Sequence, residues 1–434
     1  MRSKKPRRPL YLLTALPLLT ACAQAPRPVT APATPPAASA SPAQTEGPVR
    51  EEDEYTRYEL LDPESAQFHI LFEVTAVEPG ATVYFNPIRK GSAASGESVR
   101  DLASSRPLQF EVVSGEEARA SGLPDADLSM SYIRVHLPRP VPRDGGVRLL
   151  IEKTYKDPQS YLRKGADRIA FSRTLGIRRN AIVLPAGYEL TACNAPAQVL
   201  TEPDGRFSVS FLHTGPEAFP LVLEARRTAE AAGALAPTRT PADEERLSER
   251  AHQDREIVYS LQPPETHAFD LYHDYTESRP GVSRYLNVVR AGSAASSPSA
   301  RNLDTGEALR VETLRGDAVP KSEGDDEEIP ADAEVVVAHF APVPPGGSVR
   351  LRIAETYTDP KSYRLEGDAL VFDRTFGRPR NAVILPPGWL LTASSIPALV
   401  SETPDGRIRL DFVNPRPDEI AVLVKARRRR RGAS

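Results

Sequence analysis

The sequence predicts an all-β protein: two tandem antiparallel β-sandwich domains joined by a charged helical linker. Three observations carry that prediction. First, residues 171–192 and 372–393 are identical at 13 of 22 positions without a gap, which duplication explains and chance does not. Second, apolar and polar residues alternate with period two in run after run, the pattern of a strand with one face in a core and one in water. Third, Pro-Gly, Gly-Gly and Asp-Gly pairs punctuate those runs, at Pro79-Gly80, Gly145-Gly146 and Asp204-Gly205 and again at Pro280-Gly281, Gly346-Gly347 and Asp405-Gly406.

At the amino terminus, Arg2, Lys4, Lys5, Arg7 and Arg8 precede an apolar run from Leu10 to Leu19, too short for a finished membrane span and flanked like a secretion signal. The run ends in Leu19-Thr20-Ala21-Cys22, which resembles the bacterial lipobox. That resemblance implies a signal peptide over residues 1–21 and lipidation of Cys22 as the first mature residue. It also implies a cell-envelope address. Ala23 stands where an Asp would favour inner-membrane retention, so the outer membrane is expected, with the chain facing the periplasm or the cell surface. Residues 22–54 are rich in Pro, Ala, Ser and Thr and bury too little to offset chain entropy, so they read as a disordered tether.

From Tyr58 onward the halves align at an offset of 201, with one-residue changes that fall between strands. The first repeat is assigned to residues 55–228 and the second to 256–429. Each is one domain's worth of chain, expected to hold eight to eleven short strands. Typical runs are Ile133/Val135/Leu137, Val349/Leu351/Ile353 and Ile408/Leu410/Phe412. Between the repeats, Thr240-Pro241-Ala242-Asp243 offers an N-cap, a proline at the first helical position and an acidic first turn. The stretch from there to Arg255 is almost wholly charged, so residues 229–255 are read as a linker with a short surface helix. Arg427 and Arg428 match Arg226 and Arg227 as a strand end, and residues 430–434 read as a basic tail, with contact to acidic lipid or polysaccharide as the sharper alternative.

Composition excludes some function classes. Of 55 Lys and Arg residues five lie in the leader, which leaves 50 against 58 Asp and Glu, a formal −8 that argues against a nucleic-acid binder. With Cys22 lipidated, Cys193 has no disulfide partner, and no His beside it in sequence supports a nucleophile, so it is expected to be an inert, mostly buried thiol. His69 and Glu73, and likewise Asp270 and Asp274, share a strand face but stand about 13 Å apart, too far for a dyad or a shared metal. His273 is expected in the interior. The acidic run at residues 323–328 lacks the alternating ligands of a calcium loop. No local signature of a zinc protease, serine hydrolase or phosphate loop occurs, and no metal or cofactor is expected.

The repeated signature Tyr-x-Asp-Pro-x-Ser-Tyr is a strand end entering a turn, with Asp capping it and Pro setting its backbone. Its tyrosines, Tyr155 and Tyr161 in one copy and Tyr357 and Tyr363 in the other, are the candidate binding residues, since paired aromatics can stack on sugars or peptides. The stretch from Pro342-Val343-Pro344-Pro345-Gly346-Gly347 through Leu385-Pro386-Pro387-Gly388-Trp389 to Asp405-Gly406-Arg407 resembles the amino-terminal β-domain of the M1 zinc aminopeptidases. The resemblance implies a saddle-like β-sandwich. The family's zinc motif is missing from the sequence, so no activity or functional residue comes with it. The expected function is a membrane-tethered, non-catalytic envelope lipoprotein that binds or organises a partner, protein or envelope polysaccharide. The alternative is an envelope hydrolase with its site in the cleft between repeats.

Overall fold

Alternation becomes burial along each long strand. In Gln67–Ala76 every second residue faces inward, with Phe68, Ile70, Phe72, Val74 and Ala76 all buried. The computed structural model describes residues 54–213, 217–228, 254–320, 329–416 and 418–429. The leader, Cys22, most of the tether, the linker helix, the acidic run and the basic tail lie outside them.

The described residues are all-β. In the first repeat a seven-stranded sheet runs, edge to edge, through Gln198–Thr201, Phe207–Leu212, Arg179–Val183, Tyr55–Leu60, Gln67–Ala76, Val147–Lys156 and Ala93–Asp101. A four-stranded sheet of Tyr188–Cys193, Phe219–Arg227, Arg168–Leu175 and Tyr161–Arg163 and a three-stranded sheet of Val83–Ile88, Ser131–His136 and Phe110–Ser114 complete it. Side chains from all three sheets meet in one core that includes Phe68, Ile133, Tyr155 and Phe171. The second repeat copies this order. There Ala300 and Arg301 pair with Leu309 and Ala308 and join two sheets into one of ten strands. The equivalent hairpin of the first repeat keeps a single bridge, Arg100 to Pro107.

Three features differ from expectation. Each repeat has 14 described strands, because pieces as short as Tyr161–Arg163 offer too few positions to display alternation. One pairing per repeat is parallel, Tyr55–Leu60 with Arg179–Val183 and Glu256–Leu261 with Arg380–Ile384, a direction that periodicity does not encode. A one-and-a-half-turn helix, Gly115–Ala120, opens on a capping box in which Ser114 and Glu117 satisfy each other's backbone amides. Six residues are too few to show a 3.6 period.

The repeats also touch each other, and the contact is reciprocal. The Gly146 amide donates to the Leu303 carbonyl at 2.9 Å, while the Ser348 hydroxyl, in the equivalent place, donates to Leu102, the counterpart of Leu303, at 3.2 Å. Gly145 lies so close to Thr305 and Gly306 that a Cβ would fall 2.7 Å from backbone atoms, and Gly347 abuts Ala103 in the same way. Such exchange of equivalent partners is the mark of a two-fold, self-complementary interface. One element breaks the symmetry. Arg148 forms a buried bidentate pair with Asp304, where the first repeat has Ala103.

Candidate functional site

The duplicated signature builds the same polar cluster twice. Asp157 ends its strand and turns its carboxylate back under the chain. One oxygen accepts from the amides of Gln159 and Ser160 at 3.1 and 3.0 Å. The other accepts from the Ser160 hydroxyl at 2.7 Å and the Arg173 guanidinium at 3.0 Å. In the second copy Asp359 receives the amides of Lys361 and Ser362 at 3.1 and 3.0 Å, the Ser293 hydroxyl at 3.1 Å and Arg374 at 2.8 Å. Burial pushes both carboxyls up, yet the Ser donors and the arginine outweigh it and hold them below the ordinary Asp range.

Each guanidinium sits inside a cage of rings. Arg173 lies 5.9, 5.4 and 5.6 Å from the centres of Tyr58, Phe68 and Tyr155. Arg374 lies 5.6, 5.3 and 5.6 Å from Tyr259, Phe269 and Tyr357. The cage satisfies the cation from within the molecule.

The four candidate binding tyrosines are part of this machinery. Tyr155, Tyr161, Tyr357 and Tyr363 are all buried. Tyr161 and Tyr363 donate to the carbonyls of Leu61 and Gln262, tying down the preceding turns. The Tyr155 hydroxyl accepts from the Arg89 amide at 3.2 Å. A ring that stacks on a ligand must show a face to solvent, and these do not. In the described structure they anchor the core.

Two ionisable groups that sequence order did not single out stand at equivalent inward positions. Lys153 in the first repeat reaches Asn86, and burial pulls its amine down to about 8. Glu355 in the second accepts from Asn287 at 2.8 Å, and burial pushes its carboxyl up. The signal was available: both are charged residues on the apolar phase of a strand.

His273 is buried on the apolar face, as expected. Its Nδ1 is 3.5 Å from the Tyr285 hydroxyl, and its Nε2 has no partner among the described residues. Burial drives the imidazole down to about 3, and the Arg378 charge adds to the effect. It lines a narrow crevice with no room for a water molecule, with Arg255, Glu256, Asp274, Tyr285 and Arg378 among its walls. All of those residues lie in the second repeat except Arg255, which immediately precedes it.

The remaining candidates, and the other histidines, stay apart. Cys193 is half-buried and packs against the first core. His69 faces Thr154, His213 stacks on Phe219, and His339 meets Glu312. Asp274 is held by both guanidinium arms of Arg352, and Asp270 takes the Thr356 hydroxyl. Among the described residues no group of three or more His, Cys, Asp or Glu side chains could hold a metal ion.

Exposed positions repeat as well. Val199 and Val400 are equivalent residues, 46% and 49% exposed, on Gln198–Thr201 and Leu399–Glu402. Both strands lie at the outer edge of their sheets, with one side of the backbone unpaired.

No protein-family model matches this chain, and no curated protein does. Among solved structures, an aminopeptidase N family protein from Idiomarina loihiensis is similar over 39% of this chain and 29% of its own, at 11% identity and a TM-score of 0.25. An M1 zinc metallopeptidase from Deinococcus radiodurans is similar over 46% of this chain and 52% of its own, at 11% identity and a TM-score of 0.26. The match thus spans about half or less of each of those proteins. It is a weak structural resemblance to the amino-terminal domain of M1 aminopeptidases.

Proposed function

We infer that this chain is a membrane-tethered, non-catalytic lipoprotein of the bacterial cell envelope that binds or organises a partner through its two β repeats. The observation that carries the reading is the pair of edge strands bearing Val199 and Val400. An exposed apolar residue on a sheet edge is ordinarily selected against, because the free amides and carbonyls invite another strand. Here the same exposure occurs at the same position in both copies. An edge of that kind accepts an extended segment of a partner, with backbone hydrogen bonds for affinity and a side-chain contact for selectivity. The lipobox and the tether would hold such edges at a distance from a membrane surface.

The hydrolase reading needs polar groups from both repeats around one cavity. The crevice beside His273 draws its walls from the second repeat and from Arg255 just before it, and from no residue of the first repeat.

Two measurements test the inference. Protein extracted from membranes should have an intact mass that starts at Cys22 with added acyl chains. A photo-crosslinking residue at position 201 or 402, on the same edge strands, should capture the same envelope component, and Val199→Lys with Val400→Lys should abolish that capture while melting is unchanged. Capture that survives the double substitution would remove the edge strands from the function.

A further inference from the structure

The outer face of the four-stranded sheet carries a different arrangement of charge in the two repeats. On Phe219–Arg227 of the first repeat the outward positions are neutralised: Glu224 holds Lys164, and Arg226 is paired with Glu189 at 2.5 Å. On Ile420–Arg428 the same positions carry Lys425 and Arg427, and Arg429 continues the alternation. The acid that should face Arg427 is gone. Its cross-strand neighbour is Leu390, which stands where the first repeat has Glu189. Lys425 reaches Glu366 only at 4.0 Å, and that carboxylate is already taken by Arg364 at 2.6 Å. Arg427 and Arg429 are exposed and have no acidic partner among the described residues. Arg428, on the opposite phase, is spent on Glu265 and on the Trp389 ring.

The result is a column of three cations spaced about 6–7 Å apart along one strand, flanked by the half-buried aliphatic side chains of Leu390 and Leu423. A chain with an acidic overall balance has set three cations in a row here and put a leucine where its duplicate has Glu189, with Asp373, across from Leu423, as an acid on the same face. Basic groups beside aliphatic ones suit a surface of phosphate headgroups over acyl chains. Each Lys or Arg held near an anionic bilayer contributes about a fivefold gain in partitioning, and aliphatic neighbours add burial at the headgroup boundary.

We propose that Lys425, Arg427 and Arg429, with Leu390 and Leu423, form a docking face for an anionic phospholipid surface, so that the second repeat lies against a membrane. This contact is independent of Cys22. It would give a tethered chain a second attachment and a fixed orientation.

The test uses the chain from Ala23 onward, which retains every described residue and has no acylated cysteine. Sedimentation with vesicles of phosphatidylethanolamine and phosphatidylglycerol at about 3:1 should show binding, and vesicles of phosphatidylcholine should not. Raising NaCl to about 0.5 M should release it, since the Debye length then falls below about 5 Å. The triple variant Lys425→Gln, Arg427→Gln, Arg429→Gln should lose roughly a hundredfold in partitioning. Leu390→Glu, which restores the acid of the first repeat, should weaken binding several-fold, with thermal melting as the control for folding. Equal binding to both vesicle types, or an unchanged triple variant, overturns the proposal. Retention on a soluble polyanion with no vesicle binding overturns it too, in favour of a soluble ligand.

Discussion

At the scale of single residues, the duplicated arginines and aspartates are buried charges held by complete sets of partners. Arg173 has Asp157 and three rings; Arg374 has Asp359 and three more. His273 is the contrasting case, a titratable group kept neutral by its surroundings. Its folded pKa is lowered to about 3, against about 6.5 in an unfolded chain. Between those values the unfolded state binds more protons. The contribution to stability is therefore full above about pH 6.5 and is lost as pH falls, by at most about 1.4 kcal/mol per pH unit. The first repeat shows how to remove this dependence, because Phe72 occupies the equivalent place and is buried. His273→Phe should make stability at pH 5 about 2 kcal/mol less sensitive to acid than in the parent, relative to pH 7. Urea unfolding at the two pH values measures this, and an unchanged difference would show that the imidazole is not buried in the neutral form.

At the scale of elements, both large sheets carry a bulge in the strands Ala93–Asp101 and Ala294–Asn302. The register shifts between Ser95 and Ser98 in one and between Ser296 and Ser299 in the other. The bulge needs a left-handed residue. Gly96 supplies it at φ 64°, whereas the second repeat forces Ser297 to φ 51°. A side chain there costs about 1–2 kcal/mol, and glycine gives back part of the difference through its greater unfolded-state entropy. Ser297→Gly should stabilise the protein by a few tenths to about 1 kcal/mol. Gly96→Ser should destabilise it by a similar amount. Denaturant midpoints for the two variants check the pair, and a shift of the same sign in both would show that φ is not what distinguishes them. The bulge also kinks the free edge of Ala93–Asp101, which makes it a poor template for pairing, while the equivalent strand Ala294–Asn302 is paired on that side with Ala308–Arg315. The edges at Val199 and Val400 have no such feature in their pairing registers.

At the scale of the whole molecule, the described residues belong to one compact unit, Arg50–Ser434. Separate strand sets with separate cores suggest two beads on a charged string. The reciprocal contact of Gly145 and Gly347 with the opposite repeat joins them instead, and Arg148–Asp304 locks the join. Removing one partner of a buried ion pair leaves the other uncompensated, at a cost of about 3–5 kcal/mol. Asp304→Ala recreates the residue of the first repeat and leaves Arg148 without its counter-charge, held only by Ser348. The variant should lose that stability at the interface while each core survives. Calorimetry should then resolve two transitions where the parent shows coupled unfolding, and the maximum dimension from small-angle X-ray scattering should increase. A variant with one transition and parental dimensions would show that the glycine contacts suffice.

Much of the architecture was legible because it depends on local pattern. Val349, Leu351 and Ile353 alternate in sequence and are buried in the structure, and the Gly and Pro punctuation falls in the turns. The duplication fixed the residue-by-residue correspondence of the repeats before any coordinate did. The roles of Tyr155, Tyr161, Tyr357 and Tyr363 were not legible, since an aromatic beside a turn reads the same whether it faces solvent or a core. Nor were the parallel pairings, the swap of Lys153 for Glu355, or the interface between repeats. Sequence by itself determined the class of fold, its duplication and its turns, because period and turn chemistry act within a few residues. Tertiary structure alone decided which charges are caged, which edges stay open and where the repeats meet. Those outcomes depend on residues such as Arg148 and Asp304, 156 positions apart, whose proximity no local pattern records.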